Sequence, residues 1–305
     1  MIPRTFLRLP TCLLGLLLSP VVFGQPQPAG PWVFSLDAGA AYQSESELEN
    51  SDTEFSRDRV FLSAGVDYGW SRRDSIGVSI GVGESDYNFS ADSRSGVFKA
   101  WDEVQEGQLS VTGRFGVGDK GSVIVIPSLR QYRESGASAS DSQTYGLLTA
   151  AFWRLSDTLT IGPGLGVFSR LEGSNRVFPI LAIDWDVSER WNLSTGGGLA
   201  ATRGPGLTLS YQLDTAWSID LSGRYEEFEF RLNDDGLAPG GVGSDKSVPV
   251  VLSARYKPNA QLNFSAFLGT GLDGRLRLRD ASGNKLQETD YDSGVLVGAT
   301  FSYRH

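Results

Sequence analysis

Residues 60–70 read VFLSAGVDYGW, and the tight turn Ser71–Asp74 follows them. Val60, Leu62, Ala64, Val66, Tyr68 and Trp70 take every second position, with Ser63, Gly65, Asp67 and Gly69 between them. Successive side chains of an extended strand point to opposite faces, so this stretch has one apolar face and one small or polar face. The same alternation recurs along the chain. Trp32, Phe34, Leu36, Ala38, Ala40 and Tyr42 form one row, and Tyr145, Leu147, Thr149, Ala151 and Trp153 another. Val248, Val250, Leu252, Ala254 and Tyr256 give a third, and Leu262, Phe264, Ala266 and Leu268 a fourth.

The joins between these runs alternate in length. Short ones fall at Ser71–Asp74, Gly118–Gly121, Ser156–Thr158, Ser188–Arg190, Asp214–Ala216 and Pro258–Ala260. Longer ones fall at Ser44–Arg57, Ser90–Glu103, Glu134–Asp141, Leu171–Asn175, Thr202–Pro205, Asn233–Lys246 and Asp280–Asp290. Thirteen joins separate fourteen strands, with both chain ends on the short-turn side. Transmembrane β-barrels of the bacterial outer membrane show this asymmetry of periplasmic turns and extracellular loops. The reading is therefore all-β: a single closed antiparallel transmembrane β-barrel of about fourteen strands. A mispaired Thr202–Pro205 join, which is hardly longer than a turn, would leave twelve.

Two observations turn the apolar face outward, toward lipid. Tyr68, Trp70, Phe115, Trp153, Trp185, Trp191, Trp217, Tyr256 and Tyr303 recur at strand ends beside the short turns. Such rings favour the membrane–water interface, being half apolar and half wet. The opposite face is rich in glycine, serine and arginine, as a hydrated lumen would be. Parity breaks twice, which implies bulges near Glu226–Glu227 and between Val82 and Tyr87.

The first residues stand apart. Arg4 and Arg8 precede the apolar run Cys12–Phe23, and Val22 and Gly24 offer a small-residue cleavage site. Residues 1–24 read as a secretory signal peptide and residues 25–305 as the barrel. The lone cysteine, Cys12, falls in the leader, so the mature chain has none for disulfides. The formal net charge of −9 becomes −11 once Arg4 and Arg8 are removed, which argues against nucleic acid as a partner. No later segment has the run of about 18 apolar residues that a transmembrane helix needs.

Little catalytic chemistry is available. The chain has one histidine, His305, at its last position, and general acid–base work near neutral pH usually recruits that residue. The expectation is a protein that is not an enzyme and needs no cofactor or metal. The acidic stretch Glu45, Glu47, Glu49, Asp52 and Glu54 lacks compact calcium-loop spacing and reads as a solvated loop.

Continuing the face assignment places Arg114, Arg130, Arg154, Arg224, Arg255, Arg275, Arg277 and Arg279 inside, with Asp37, Asp67, Asp184, Asp186, Asp220 and Glu226. Arg275, Arg277 and Arg279, with Arg224 and Arg255, form a candidate lumen charge filter selecting anions. Pairing of these charges to hold the wall together is the alternative. Fourteen strands permit an aqueous channel without requiring one, since eight are filled by side chains and sixteen leave a pore. Only Gln25–Pro31 precede the first strand, too little for a folded plug. Ser90–Glu103, with Phe98 and Trp101, and Asn233–Lys246 are the loops that could fold inward.

The chain ends VLVGATFSYRH, residues 295–305. Gly298, Phe301 and Tyr303 resemble the C-terminal signal by which outer-membrane proteins are recognised for insertion. The family pattern usually ends on an aromatic, whereas Arg304 and His305 follow here. Taken whole, residues 32–305 resemble the uncharacterised outer-membrane β-barrel families of Gram-negative bacteria. The resemblance implies integral outer-membrane localisation, contact with lipid and lipopolysaccharide, and help from the barrel assembly machinery; it carries over no functional residue. The leading functional expectation is a monomeric, porin-like channel for passive diffusion of small polar or anionic solutes. The other is a non-conducting structural or surface barrel whose loops bind a partner or lipopolysaccharide.

Overall fold

A computed structural model of the chain describes residues 31–49, 51–90, 101–195 and 206–305. The proposed signal peptide, Phe98 and the Thr202–Pro205 join lie outside these residues. The strand segments are β1 Trp32–Glu47, β2 Glu54–Gly69, β3 Ser75–Phe89, β4 Glu103–Val117, β5 Gly121–Glu134, β6 Gln143–Arg154, β7 Leu159–Phe168 and β8 Arg176–Asp186. They continue as β9 Trp191–Thr195, β10 Gly206–Gln212, β11 Trp217–Arg224, β12 Glu226–Arg231, β13 Val242–Tyr256, β14 Leu262–Arg279, β15 Lys285–Tyr291 and β16 Val295–Arg304. Neighbours pair in order from β1 to β11, and β13, β14 and β16 lead back to β1. Fourteen antiparallel strands thus close a barrel, and closure removes the edges that would otherwise template aggregation.

The apolar rows face outward. Trp32, Phe34, Leu36, Val60, Leu147, Leu181, Leu252, Leu268 and Val295 are all exposed, while Ser35, Asp37, Ser63, Ser110, Asp220 and Ser222 are buried on the inner face. At the short-turn rim, ring pairs form the girdle: Trp32 with Tyr68 (4.8 Å), Trp191 with Tyr211 (4.7 Å) and Trp217 with Tyr256 (4.6 Å).

Beyond Val60, Val82 and Leu272 the outward row turns from apolar to charged, to Asp58, Glu84, Asp86 and Arg275, which marks the end of the lipid-facing belt. A smaller ring stands above it. β1–β5 run on past the belt, and β12 pairs with β13 and meets β5 through one parallel bridge, Arg231 to Arg133. β15 replaces β16 beside β14, and Leu48 bridges to Tyr291. Among the described residues nine segments therefore surround this upper space, close to the eight-strand size that side chains fill completely. Their inner faces supply Leu48, Phe55, Tyr87, Val104, Phe228, Phe230, Leu276, Leu278 and Tyr291, which pack with Trp101, Leu232 and Ala238 into one buried cluster. A conventional apolar-inside barrel is stacked on an inside-out one.

This stacking corrects several expectations. Strand reaches into three of the long joins, taking Ser44–Glu47 and Glu54–Arg57 of the first, Val242–Lys246 of Asn233–Lys246, and Lys285–Asp290 of Asp280–Asp290, because these residues build the upper ring. No register shift occurs in β3 against either neighbour, and Ser85 and Tyr87 continue the inner row of Gly81 and Gly83. The chain is interrupted at Tyr225, but Arg224, Glu226, Phe228 and Phe230 all remain on the inner side. Bulges seemed necessary only if these aromatic residues had to meet lipid. At their height there is none, so the alternation simply carries them inward.

Candidate functional site

The lower lumen is only half polar. On one side Asp220 pairs with Arg255 (2.6 Å), Arg304 lies 3.7 Å from Asp37, and Ser63 donates to Asp37 (3.4 Å). On the other, Ile124 and Ile126 of β5, Ala150 and Phe152 of β6, and Ala182 of β8 form a buried apolar cluster with Leu148. Inner glycines explain how rings fit on both sides of the lumen. Phe61 lies on Gly39, Phe168 on Gly146, Phe178 on Gly166 and Phe267 on Gly298, each across a strand pair, so that a side chain at any of these glycines would occupy the ring's place. At these four positions the inner glycine gives a flat floor for an aromatic ring, whereas Gly65 and Gly77 leave room for the Ser35 and Asp67 side chains.

The candidate filter residues separate into two groups. Arg224 is buried on the inner row of β11, and Arg255 faces Asp220 across the lumen wall. Arg275 and Arg277 are instead on the outer surface of the β14–β15 hairpin, where they pair with Asp290 and Glu288. Arg279 reaches Glu229 at 3.0 Å. The inward positions here belong to Leu276 and Leu278. The cause is one extra residue in β14. Lys246 pairs with Arg275 but Val248 with Leu272, and Asp273 at φ 50° is the non-glycine residue in the left-handed region among those described. A one-residue slip moves every later side chain to the other face. Arg154, expected inside, is exposed at the short-turn rim.

A charged layer separates lumen from cap. The Asp245 carboxylate accepts from Arg57, from the Tyr87 hydroxyl (3.0 Å) and from the Tyr291 hydroxyl (2.9 Å), and Arg57 also donates to Gln43 (2.9 Å). Burial, and after it the Asp245 charge, pushes both tyrosine hydroxyls up, which keeps them as donors. Beside them Arg59 lies 3.8 Å from Glu106 and 3.6 Å from Glu226. On the far side from the membrane, Trp101 meets Phe230 edge-on at 5.0 Å and Phe55 meets Tyr291 at 4.9 Å. Sequence reasoning missed this layer because it treated the stretches on both sides of it as loops; aromatic residues above the girdle, Phe55, Tyr87 and Phe230, were the available signal.

The cap does not extend over β6–β8. Phe228 and Phe230 of β12 point into the upper core, so Glu227 and Glu229 point the other way, toward the tips of β7 and β8. Between them lies a cavity of about 140 Å³, lined among others by Arg130, Phe168, Arg170, Arg176, Phe178 and Tyr225. Arg176 reaches Glu227 at 2.5 Å, and Arg170 binds Glu229. Among the described residues, this crevice lies beside the closed mouth.

As for metals, Glu84, Asp86 and Glu103 on the outer surface of β3 and β4 bring carboxylate oxygens within 4.8 Å. Burial, and after it the Glu103 charge, raises Glu84 and Asp86 above the usual carboxylate range.

Gly298 has a packing role of its own. A methyl group there would meet the Ala40 carbonyl oxygen and the Phe267 ring. Phe301 lies 5.2 Å from Phe264 across the same seam. Gly298→Ala is expected to cost about 1–3 kcal/mol through overpacking. It should slow refolding into detergent micelles with no assembly machinery present, measured by the heat-dependent gel shift of folded barrels. Normal refolding in that assay would leave recognition as the residue's sole role.

These features define a class: a fourteen-stranded barrel of outer-membrane type with a capped lumen. No family model and no curated protein matches the chain by sequence. Among solved structures, the COG4313 outer membrane channel from Pseudomonas putida F1 aligns over 94% of this chain and 100% of that one, with 10% identity and a TM-score of 0.51. A Pseudomonas aeruginosa FadL homologue aligns over 90% and 89%, with 12% identity and a TM-score of 0.44. The KdgM porin in complex with disordered oligogalacturonate covers 88% and 98%, with 11% identity and a TM-score of 0.35. The first likeness supports the fold.

Proposed function

We propose that the chain is an integral outer-membrane channel for passive diffusion of small polar solutes, exported by a cleaved signal peptide and assembled as a monomer. The observation that carries this reading is the paired-charge wall of the lower lumen, Asp220 with Arg255 and Asp37 with Arg304, beside the buried Arg224, inside a barrel that is apolar on its lipid side. Lipid-facing and lumen-facing chemistry alternate along every such strand. With the mouth filled by the aromatic cluster, the crevice beside β12 is the exit for solute. The chemistry of acyl or phosphoryl transfer has no histidine to use inside the barrel.

Purified, refolded protein in a planar bilayer should give discrete openings, and silence across a range of voltages would sink the channel reading in favour of a structural barrel. Arg224→Ser with Arg255→Ser removes two inner cations and leaves Asp220 facing the lumen. The reversal potential in a salt gradient should move toward cation preference. Arg275→Ser with Arg277→Ser, on the outer surface, should leave it unchanged; a shift there would return those residues to the filter.

A further inference from the structure

We infer that the crevice between β12 and the tips of β7 and β8 is a binding site for a planar organic monoanion, a single-ring aromatic carboxylate. The channel reading supplies only the reason for such a site to lie on a solute path; binding stands on the geometry.

Its floor is aromatic and flat. Phe168 and Phe178 stack with centroids 5.5 Å apart and planes 4° from parallel. Each ring rests on a glycine, Gly146 or Gly166, with no side chain beneath to tilt it. Its size suits one ring: an apolar cavity of about 150 Å³ accepts benzene, and this one measures about 140 Å³. Its charge is positive. Three arginines line it, Arg130, Arg170 and Arg176, against two glutamates, Glu227 and Glu229. Both glutamates are engaged: Glu227 accepts from Arg176 and from the Tyr225 hydroxyl (2.7 Å), and Glu229 from Arg170 and from Arg279 (3.0 Å). Those contacts fix the guanidinium planes at the rim. Arg130 lies over the Phe168 ring at 4.3 Å, so cation and aromatic floor adjoin. A guanidinium is planar and matches a carboxylate through paired N–H donors. A ligand ring extending the Phe168–Phe178 stack would bring its carboxylate to this arginine group.

The test is calorimetric titration of the refolded full chain in detergent with sodium benzoate, benzamide and sodium acetate. Benzoate should saturate one site, with benzamide and acetate each at least tenfold weaker. Phe178→Leu and Arg130→Gln, checked for folding by gel shift, should each weaken benzoate at least fivefold. Acetate binding as well as benzoate would mean a rim charge only, and benzamide binding as well would mean an uncharged slot; either overturns the proposal, as does the absence of saturable benzoate binding. The three wild-type titrations decide this even where a variant fails to fold. They are made without a bilayer, so a silent channel and an empty site are separate results.

Discussion

Trp101→Ala combined with Phe230→Ala is expected to raise single-channel conductance severalfold, because these rings fill the centre of the mouth. Trp101 and Phe230 are almost fully buried and meet each other edge-on, with Phe89 and Tyr87 on their flanks. The upper ring is too narrow to leave a pore around them, since nine segments are near the size that side chains fill. Truncating a buried aromatic residue to alanine costs about 3–5 kcal/mol, and the cost grows with the cavity left behind. Both outcomes of that cost favour passage. If the ring holds its shape, a water-accessible gap joins lumen to exterior; if it loosens, the cap opens further. The measurement is conductance in a planar bilayer against the parent protein. An unchanged current would show that the mouth is not the barrier and that the rate is set elsewhere, in the crevice or the lower lumen.

The second large effect concerns the charged layer. Asp245→Ala leaves the Arg57 guanidinium buried and removes the acceptor shared by Tyr87 and Tyr291. Breaking a buried pair by deleting one partner typically costs about 3–5 kcal/mol, because the remaining charge stays out of water. The upper ring should therefore become protease-sensitive in β12, in β15 and in the ends of β13 and β14 that pair with them, while the lipid-embedded parts of the strands stay protected. Replacing both partners, Arg57→Leu with Asp245→Leu, should restore much of the resistance, since no buried charge remains; a double-mutant cycle isolates the coupling. Equal sensitivity of the single and double variants would mean that Asp245 acts through the tyrosines alone.

The lower barrel was legible from the chain because lipid imposes a period of two without exception. Val60, Leu62 and Tyr68 must point out, and each short turn fixes the next strand's parity. The filter residues were less legible. Arg224 and Arg255 could be placed because nothing interrupts β11 or β13 between them and the girdle. Arg275, Arg277 and Arg279 could not, because Asp273 is an ordinary-looking residue whose left-handed φ adds one position and reverses the row. Bulges were inferred near Val82 and Glu226 from the opposite error, the assumption that every apolar residue seeks lipid.

The amino-acid sequence alone determined the alternation of short and long joins, the direction of the apolar face, the aromatic girdle and the lack of an internal histidine, because each follows from local alternation and composition; the pairing of strands decided for fourteen over twelve. Only the tertiary structure decided that the barrel narrows above the membrane into an apolar-cored cap, and that a crevice remains beside it. Those depend on which distant segments meet: Leu48 with Tyr291, Arg231 with Arg133, Arg57 with Asp245. A period of two tells which side a residue takes, and only the pairing of strands tells whether lipid, water or another ring lies there.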